Sequence, residues 1–307
     1  MYVRKKILFL LSLIFSLSVL SSDIEEIIVK GEYREKSLGE EDSSIAVIQS
    51  EQIKSQAIKH FQQLSHLVPN LNYAASDSRA RYFQIRGIGE RSGYQGTPNS
   101  SVGFLIDDID YSGQGGIATL FDVDQVEVFR GPQGSRSGAN ALAGLIYIKT
   151  KDPTEKFEGT SELTLGDYGT QNIGIAFGGP MQNKKLKYRL VLRTDYADGF
   201  RKNTYLNKSD TSKKDELTLR YKLNWELNET TNLDFLVSKV DMDDPADIWT
   251  IDGSLNTLSD RPGMDSQNTN SYGIKITKDF SNFIVQSLTS ATKNDVVFSY
   301  DADWGNA

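Results

Sequence analysis

The second half of the sequence contains long segments in which apolar and polar residues alternate, and this pattern restricts the possible fold more than any other feature. In the clearest segment, every odd position from Leu217 to Leu227 is apolar or aromatic, and the even positions between them are polar or charged. A period of two predicts β-strands with one apolar and one polar face. A second such segment covers residues 188–196, and others begin near residues 158, 171, 233, 272 and 283.

The length of these segments and the connections between them favour a transmembrane barrel. Alternation alone would also fit a soluble β-sandwich, because each sandwich strand buries one face. Segments of about ten residues exceed the five or six that are usual in sandwiches. Tight turns at 180–185, 228–231 and 281–282 alternate with longer loops at 197–214 and 241–270. Short periplasmic turns and long external loops are typical of outer-membrane barrels.

The N-terminus has the pattern of an export signal. Three basic residues at positions 4–6 precede an apolar and serine-rich stretch at 7–20, which is followed by Ser21 and Ser22. This stretch is shorter than the roughly 20 apolar residues that a membrane-spanning helix needs. We therefore predict a signal peptide at residues 1–22, cleaved near its two final serines, and a mature protein outside the cytoplasm.

Residues 23–152 have a mixed pattern that predicts a small α+β domain, with the barrel segment at 153–307. One helical stretch is predicted from Ser50, as N-cap, to Leu67, because apolar residues recur there every three or four positions, and Pro69 ends it. Short apolar runs separated by polar and glycine-containing connections predict strands. These runs lie at residues 45–48, 102–106 and 126–129.

Several classes of protein are excluded by composition. The chain has no cysteine, and its two histidines, His60 and His66, are six residues apart, a spacing that does not suit a zinc pair. The net charge of −7 offers no basic field for nucleic acid. A secreted β-sandwich enzyme would need a polar catalytic cluster, and none is evident. We therefore expect no enzyme, no metal site and no cofactor.

The segment from Phe121 to Thr150, FDVDQVEVFRGPQGSRSGANALAGLIYIKT, is the most specific stretch of the chain. It closely resembles the plug signature of TonB-dependent outer-membrane receptors. Residues 83–89 and 101–107 resemble that family's two central plug strands, in the expected order. The resemblance implies an α+β plug followed by a transmembrane antiparallel β-barrel in the outer membrane of a Gram-negative bacterium. Seven or eight of an implied twenty-two strands are present, so the barrel is incomplete.

The resemblance also implies a coupling segment. The residues just after the predicted signal peptide, Glu25, Glu26, Ile27, Ile28 and Val29, are similar to the family's TonB box, which the TonB energy-coupling protein captures. A β-prone run of this kind can add as a strand to an exposed sheet edge.

Further site residues follow from the same resemblance. Arg86 and Arg130, with Glu127, are expected to lock the plug to carboxylates of the barrel. Glycines are expected where the plug backbone turns tightly or approaches the barrel wall. These are Gly87, Gly131, Gly134, Gly138 and Gly144.

The expected function is import of a scarce ligand by energy-coupled plug movement. A ferric siderophore or another metal chelate is favoured, with cobalamin or a glycan as other candidates. The alternative is a surface receptor or adhesin without active transport. The ligand-facing candidates lie in two apical loops of the plug, within residues 91–99 and 111–116. They are Arg91, Tyr94, Gln95, Asn99, Tyr111 and Gln114.

The sequence departs from the family pattern at two turns. The segment before the Asn-Ala pair reads Arg136-Ser137-Gly138 where a tyrosine-glycine-arginine run is common, and Asp107-Asp108 stands where Asp-Gly is usual. We expect these changes to affect local packing more than transport.

Overall fold

A computed structural model of the protein describes residues 26–75, 79–92, 99–182 and 184–306. The predicted signal peptide, residues 1–22, lies outside the described residues. The chain divides into two compact units, one ending at Glu41 and the other beginning at Asp42.

The first unit contains one small antiparallel pair of strands, β1 (Ile28–Val29) and β2 (Lys36–Ser37). Ile28 lies opposite Ser37, and the backbone N–H of Leu38 donates to the carbonyl of Ile27 at 2.8 Å. The predicted TonB box is therefore partly in strand conformation. A 3₁₀ helix at Leu38–Glu40 follows β2.

The second unit contains the other strands of the described residues. In the predicted plug they are β3 (Ile45–Gln49), β4 (Leu71–Ala75), β5 (Ala80–Ile85), β6 (Val102–Ile106), β7 (Ile109–Asp110), β8 (Val123–Arg130) and β9 (Gly144–Thr150). In the predicted barrel they are β10 (Glu158–Leu165), β11 (Gln171–Pro180), β12 (Leu186–Ala197), β13 (Lys202–Asn203), β14 (Lys214–Asn228), β15 (Thr231–Ala246), β16 (Asn256–Thr257), β17 (Gly263–Asp279) and β18 (Ile284–Ser299).

The plug is built on a five-stranded sheet in the order β3-β8-β9-β6-β7. Only the β6 and β9 pair is parallel. β9 lies at the centre, and its residues are almost all buried, as expected of a strand covered on both faces. The strand resembling the first central plug strand, β5, does not join this sheet. It pairs with β4 in a separate hairpin, and the rings of Phe61, Phe83 and Phe104 pack together between the two sheets at centroid distances of 5.0–5.5 Å.

The prediction of one helix from Ser50 to Leu67 is wrong. The chain instead forms a short helix α1 at Ser50–Ser55 and a separate 3₁₀ helix at Phe61–Leu67, and Gln49 is the N-cap of α1. The break occurs because the intervening residues turn towards the segment around Thr119. Tertiary contacts thus override the helical periodicity, although the apolar positions Ile53, Phe61 and Leu64 are still buried. A second short helix, α2, covers Gly134–Ser137.

The barrel segment forms one antiparallel sheet in the order β10-β11-β12-β14-β15-β17-β18. Successive strands pair with each other, as in an up-and-down barrel, and the sheet does not close on itself within the described residues. This confirms the prediction of an incomplete barrel of seven or eight strands. The proposed boundary between residues 152 and 153 falls in the connection between β9 and β10 and stays a prediction.

The two faces of the barrel strands are as the alternation predicts. Across β14, β15 and β17, Leu223, Phe235 and Ile274 lie side by side in register and form one row of the outward apolar face. On the opposite face of β12 and β14, Arg189 and Lys222 are buried. A charged residue can be buried at such a position only if it is paired.

The second long loop is shorter than predicted. We expected it to cover residues 241–270, but β15 continues to Ala246 and β17 begins at Gly263, so the loop spans 247–262. The extra ladder carries polar side chains, such as Asp241 and Asn268, which hydrogen-bond across the strands at 3.1 Å. Apolar alternation ends before the strands do, because the ladder itself needs no apolar side chains. No helix among the described residues is long and apolar enough to cross a membrane.

Candidate functional site

The plug packs against the polar face of the barrel sheet through a shared apolar core. Val240 and Met242 of β15 belong to the same buried cluster as Ile109 and Ile117 of the plug. A second contact is made by Phe121, whose ring lies over Gly174 of β11, where an added Cβ would be only 2.7 Å from the ring. The barrel sheet, which we call the wall, thus fits the shape of the plug. The contact surface between them is the candidate functional site.

A buried bidentate ion pair joins the plug to β12. The guanidinium of Arg189 donates from Nε to Asp122 Oδ2 at 2.6 Å and from Nη2 to Asp122 Oδ1 at 2.5 Å. Both side chains are only 2% exposed. Arg220 of β14 reaches the same turn and donates to the carbonyl of Phe121 at 3.2 Å. Because both charges are away from water, loss of either partner would leave the other buried and uncompensated.

A second charged cluster joins the plug to β14. Lys222 Nζ lies 2.8 Å from Asp107 Oδ1 and 3.0 Å from Asp152 Oδ1, and it donates to the carbonyl of Thr150 at 3.1 Å. Burial alone would raise the pKa of Asp107, but Lys222 and Lys149 hold it below its usual value. The pKa of Asp152 is lowered by the same two lysines against the opposing effect of burial. These carboxylates are therefore ionised while the plug sits in the barrel.

Arg79, directly before β5, and Arg81, within β5, make further ion pairs with the barrel wall. Arg79 is bidentate to Glu216 of β14, at 2.6 Å and 2.8 Å, and Arg81 pairs with Asp265 of β17. The Asp265 side chain is 1% exposed. Lys59 of the plug also pairs with Glu162 of β10 at 2.6 Å, so charge pairing between plug and barrel involves four of the described strands: β10, β12, β14 and β17.

The residues predicted to lock the plug are not those that pair in the described wall. Arg86 follows β5 with φ of +54°, and within the described residues neither it nor Arg130 makes an ion pair with a barrel strand. Arg130 Nε is buried without a hydrogen-bond acceptor there. Glu127 is fully buried in the plug sheet and accepts a hydrogen bond from the Gln125 amide. Their locking role stays a prediction.

The ion pairs that the structure shows between plug and barrel were missed in the sequence. The barrel residue of each pair could have been identified, because Arg189 and Lys222 occupy the polar face of strands that the alternation predicts. Their partners, Asp107 and Asp122, could not be found, because nothing local distinguishes them from other turn carboxylates.

The expected ligand-facing residues differ in position. Arg91 and Asn99 are exposed, while Tyr94 and Gln95 lie outside the described residues. Gln114 is half-buried, and its Oε1 has no hydrogen-bond donor within the described part of the chain. Contact of these residues with a ligand stays a prediction.

Tyr111, one of the expected ligand-facing residues, is buried. The residue comes directly after β7, where its N–H donates to the carbonyl of Phe104 at 2.8 Å, and its side chain is only 2% exposed. It lines a small cavity between the plug and the wall, together with Arg220. Burial raises the pKa of the Tyr111 phenol to about 12. Its role is to pack the plug against the barrel.

The five plug glycines have different reasons to be glycine. Gly87, Gly131 and Gly138 have positive φ, and Gly138, which follows helix α2, combines φ of +64° with ψ of −125°, a backbone conformation that glycine adopts far more readily than other residues. Gly144 is needed for close packing inside the plug, because a Cβ there would lie 2.3 Å from the carbonyl oxygen of Phe129. Gly134 has open space around it, and nothing in the structure requires glycine there.

Of the two histidines, His60 is buried at the start of the 3₁₀ helix and His66 is exposed. His60 Nδ1 accepts from the N–H of Gln62 at 3.3 Å, and its Nε2 lies 2.9 Å from the carbonyl of Gly116. A neutral ring with the proton on Nε2 satisfies both contacts. Burial, with Arg79 as a smaller cause, lowers the pKa of His60 well below 6.5.

We therefore expect the plug to lose stability in mild acid. The unfolded chain takes up a proton near pH 6.5 while the folded plug resists it, so the His60 contribution is complete above about 6.5 and falls as the pH drops below that value. His60→Gln keeps a donor for Gly116 and should flatten this pH dependence, measured as the urea midpoint of plug unfolding between pH 7.5 and 5. His66→Gln is the control and should follow the wild type. An unchanged slope in His60→Gln would contradict the assignment.

Comparison with known proteins agrees with this architecture. Residues 37–145 match the sequence model of the TonB-dependent Receptor Plug Domain. The pesticin receptor of Yersinia pestis is 26% identical over 157 residues, which cover 51% of this chain and 23% of that protein. The ferripyoverdine receptor of Pseudomonas aeruginosa is 24% identical over 45% of this chain and 16% of that protein. The match thus spans about a quarter or less of the length of these relatives.

Solved structures show the same fold. The ferric yersiniabactin uptake receptor of Yersinia pestis superposes with a TM-score of 0.75 at 20% identity, covering 85% of this chain and 42% of that one. The ferripyoverdine receptor of Pseudomonas aeruginosa bound to ferripyoverdine gives 0.70 at 18% identity, covering 91% and 38%. The family's plug sequence and its plug and barrel fold thus occur together in one chain. Residues 37–145 thus carry the plug domain of TonB-dependent receptors, and the chain has the fold of that family's plug followed by an incomplete part of its β-barrel.

Proposed function

We propose that the receptor imports a scarce ligand across the outer membrane by energy-coupled movement of the plug. The supporting observation is that the plug lies against the inner face of the barrel and is held there by ion pairs, including Asp122 with Arg189 and Arg79 with Glu216. Such contacts keep the passage closed at rest, and an external energy source is needed to disturb them. TonB, captured at the segment around Ile28, is the proposed source.

Within this proposal the domains follow the sequence. Residues 1–22 serve as a cleaved signal peptide, 23–152 as the plug with its TonB box, and 153–307 as the first part of the barrel. The bounds of β9 and β10, which end and begin at Thr150 and Glu158, support the second boundary.

We propose a ferric siderophore or another metal chelate as the ligand. Similarity to proteins named as a ferric yersiniabactin uptake receptor and a ferripyoverdine receptor supports this class. Similarity to the vitamin B12 transporter of Vibrio vulnificus, at 25% identity over 47% of this chain and 26% of that protein, keeps cobalamin as a candidate. A glycan remains a further candidate from the sequence.

The alternative is a surface receptor that binds without transport. Similarity to proteins named as pesticin receptors, and to a solved receptor described in complex with pyocin S2, supports this alternative. Binding of that kind would not by itself require energy coupling.

An uptake assay separates the two functions. Cells carrying the gene for the complete receptor would be offered labelled ferric chelates, cobalamin and oligosaccharides, with and without a protonophore. Import predicts that one class accumulates beyond surface binding and that the protonophore abolishes the excess. Surface binding without any energy-dependent accumulation would instead favour the receptor that does not transport.

A further inference from the structure

The turn between β6 and β7 has an unusual backbone. Asp107 and Asp108 both have positive φ, +47° and +70°, and they connect the paired residues Ile106 and Ile109 as a two-residue hairpin loop. Turns with two positive φ values strongly favour Asn-Gly, Asp-Gly or Gly-Gly. Aspartate at the second position of such a turn adopts positive φ less favourably than glycine. We therefore expect the contacts of the Asp108 carboxylate to have a compensating role.

The first carboxylate of the turn makes a buried contact with β14. Asp107 accepts from the N–H of Thr150 at 3.0 Å within the plug, and its Oδ1 lies 2.8 Å from Nζ of Lys222 in the wall. The two charged side chains are 6% and 9% exposed. Asp107 also has Lys149 of the plug at 3.8 Å, but within the described residues Lys222 pairs only with plug carboxylates, Asp107 and Asp152, so movement of the plug would leave its charge in a poorly solvated place.

The second carboxylate makes a different contact, with β17. Asp108 Oδ2 lies 3.3 Å from Nζ of Lys275, and its other oxygen pairs with Arg136 of the plug. Here the lysine and aspartate side chains are 32% and 16% exposed. If Lys275 moved away, Asp108 would still be paired with Arg136, and the lysine could be solvated. The two family departures, at Asp108 and around Arg136, therefore meet in one ion pair.

The turn also fits the shape of the wall. A Cβ on Gly273 of β17 would lie 3.2 Å from Cδ1 of Ile109, so this lumen-facing glycine makes room for the first residue of β7. In the sheet, β15 lies between β14 and β17. The two aspartates thus contact the strands on either side of β15.

We propose that the Asp107-Asp108 turn is the element that positions the plug on the wall, with Asp107 as its fixed contact to Lys222 and Asp108 as its releasable contact to Lys275. The first movement of the plug then breaks the Asp108 contact with Lys275 and keeps that of Asp107. This assignment concerns how the plug is held, and its test involves no ligand and no energy coupling. Either proposal can therefore fail while the other stands.

The test counts openings of the complete receptor in planar bilayers at a fixed urea concentration that partly dislodges the plug. Asp108→Asn and Lys275→Gln should each raise the opening frequency about two- to fivefold, the size expected for a partly exposed ion pair. Asp108→Gly should raise the opening frequency by a similar factor. Because glycine suits a φ of +70°, this increase would come from loss of the contact and not from damage to the turn. The double variant should open no more often than either single variant.

Two further variants provide a control without effect and a comparison with a larger expected effect. Lys278→Gln on the same strand removes a lysine that bonds to the hydroxyls of Thr230 and Thr231, and it should behave as the wild type. Asp107→Asn should open more than about tenfold more often, because the buried Lys222 is left with only Asp152 and the Thr150 carbonyl as partners in the described part of the chain. Wild-type openings in Asp108→Asn and Lys275→Gln, or multiplicative effects in their double variant, would overturn the proposal even if Asp107→Asn failed to assemble.

Discussion

Asp122→Asn is expected to lower the free energy of plug unfolding by about 3 kcal/mol, the scale for removing one partner of a buried ion pair. Asparagine tolerates the φ of +61° at this position, so the loss of stability would come from removal of the charge and not from backbone strain. The change leaves Arg189, which is 2% exposed, without its carboxylate. The measurement is urea unfolding of the complete receptor in detergent, followed by a probe in the plug.

The control is an ion pair of the same charges at a partly exposed position beside an interior strand. Lys213 and Asp215 are 28% and 53% exposed, and Lys213→Gln should change the free energy of unfolding by less than about 0.5 kcal/mol. The double variant Asp122→Asn with Arg189→Met should recover part of the stability, because it no longer buries an unpaired charge. A cost below about 1 kcal/mol for Asp122→Asn would show that this contact does not hold the plug.

The barrel half of the fold could be predicted because it depends on a local pattern. A strand with one face to lipid and one to the plug must alternate, and the alternation from Leu217 to Leu227 identified both faces of β14 correctly. The ends of strands were harder. β15 and β17 extend past their apolar stretches, and the run around Asp241, expected in a loop, lies in a ladder held by polar side chains.

The plug was less predictable because distant residues decide its local structure. The periodicity from Ser50 to Leu67 is helical, yet the helix ends at Ser55, and His60 further along contacts Thr119 and Gly116. Tyr111 lies outside the strands, as expected of a loop residue, but residues distant in sequence bury it in the shared apolar core of plug and barrel. The contact residues of the site are set by the same long-range packing.

Ile28→Pro is expected to reduce energy-dependent uptake about tenfold or more while surface binding of the ligand is retained. Proline cannot donate a backbone hydrogen bond and fixes φ, so it should disfavour addition of this segment as a strand to the partner. Each lost backbone hydrogen bond is worth about 0.5–1.5 kcal/mol, so one or two account for a tenfold effect. Ile28→Val, which keeps a β-branched side chain, should transport like the wild type.

A matched variant separates capture by TonB from the small sheet that the segment forms in the receptor. In the β1 and β2 pair the N–H of Leu38 donates to the carbonyl of Ile27 at 2.8 Å, and proline at position 38 cannot make this bond. Leu38 is the first residue of the 3₁₀ helix, where proline is tolerated, so Leu38→Pro should disturb the same local pair while leaving the box sequence intact, and we expect its uptake to be retained. If Leu38→Pro lost uptake as fully as Ile28→Pro, the local pair itself would be the required structure. If neither variant lost uptake, the coupling role of this segment would be refuted, and the receptor without transport would become the better description.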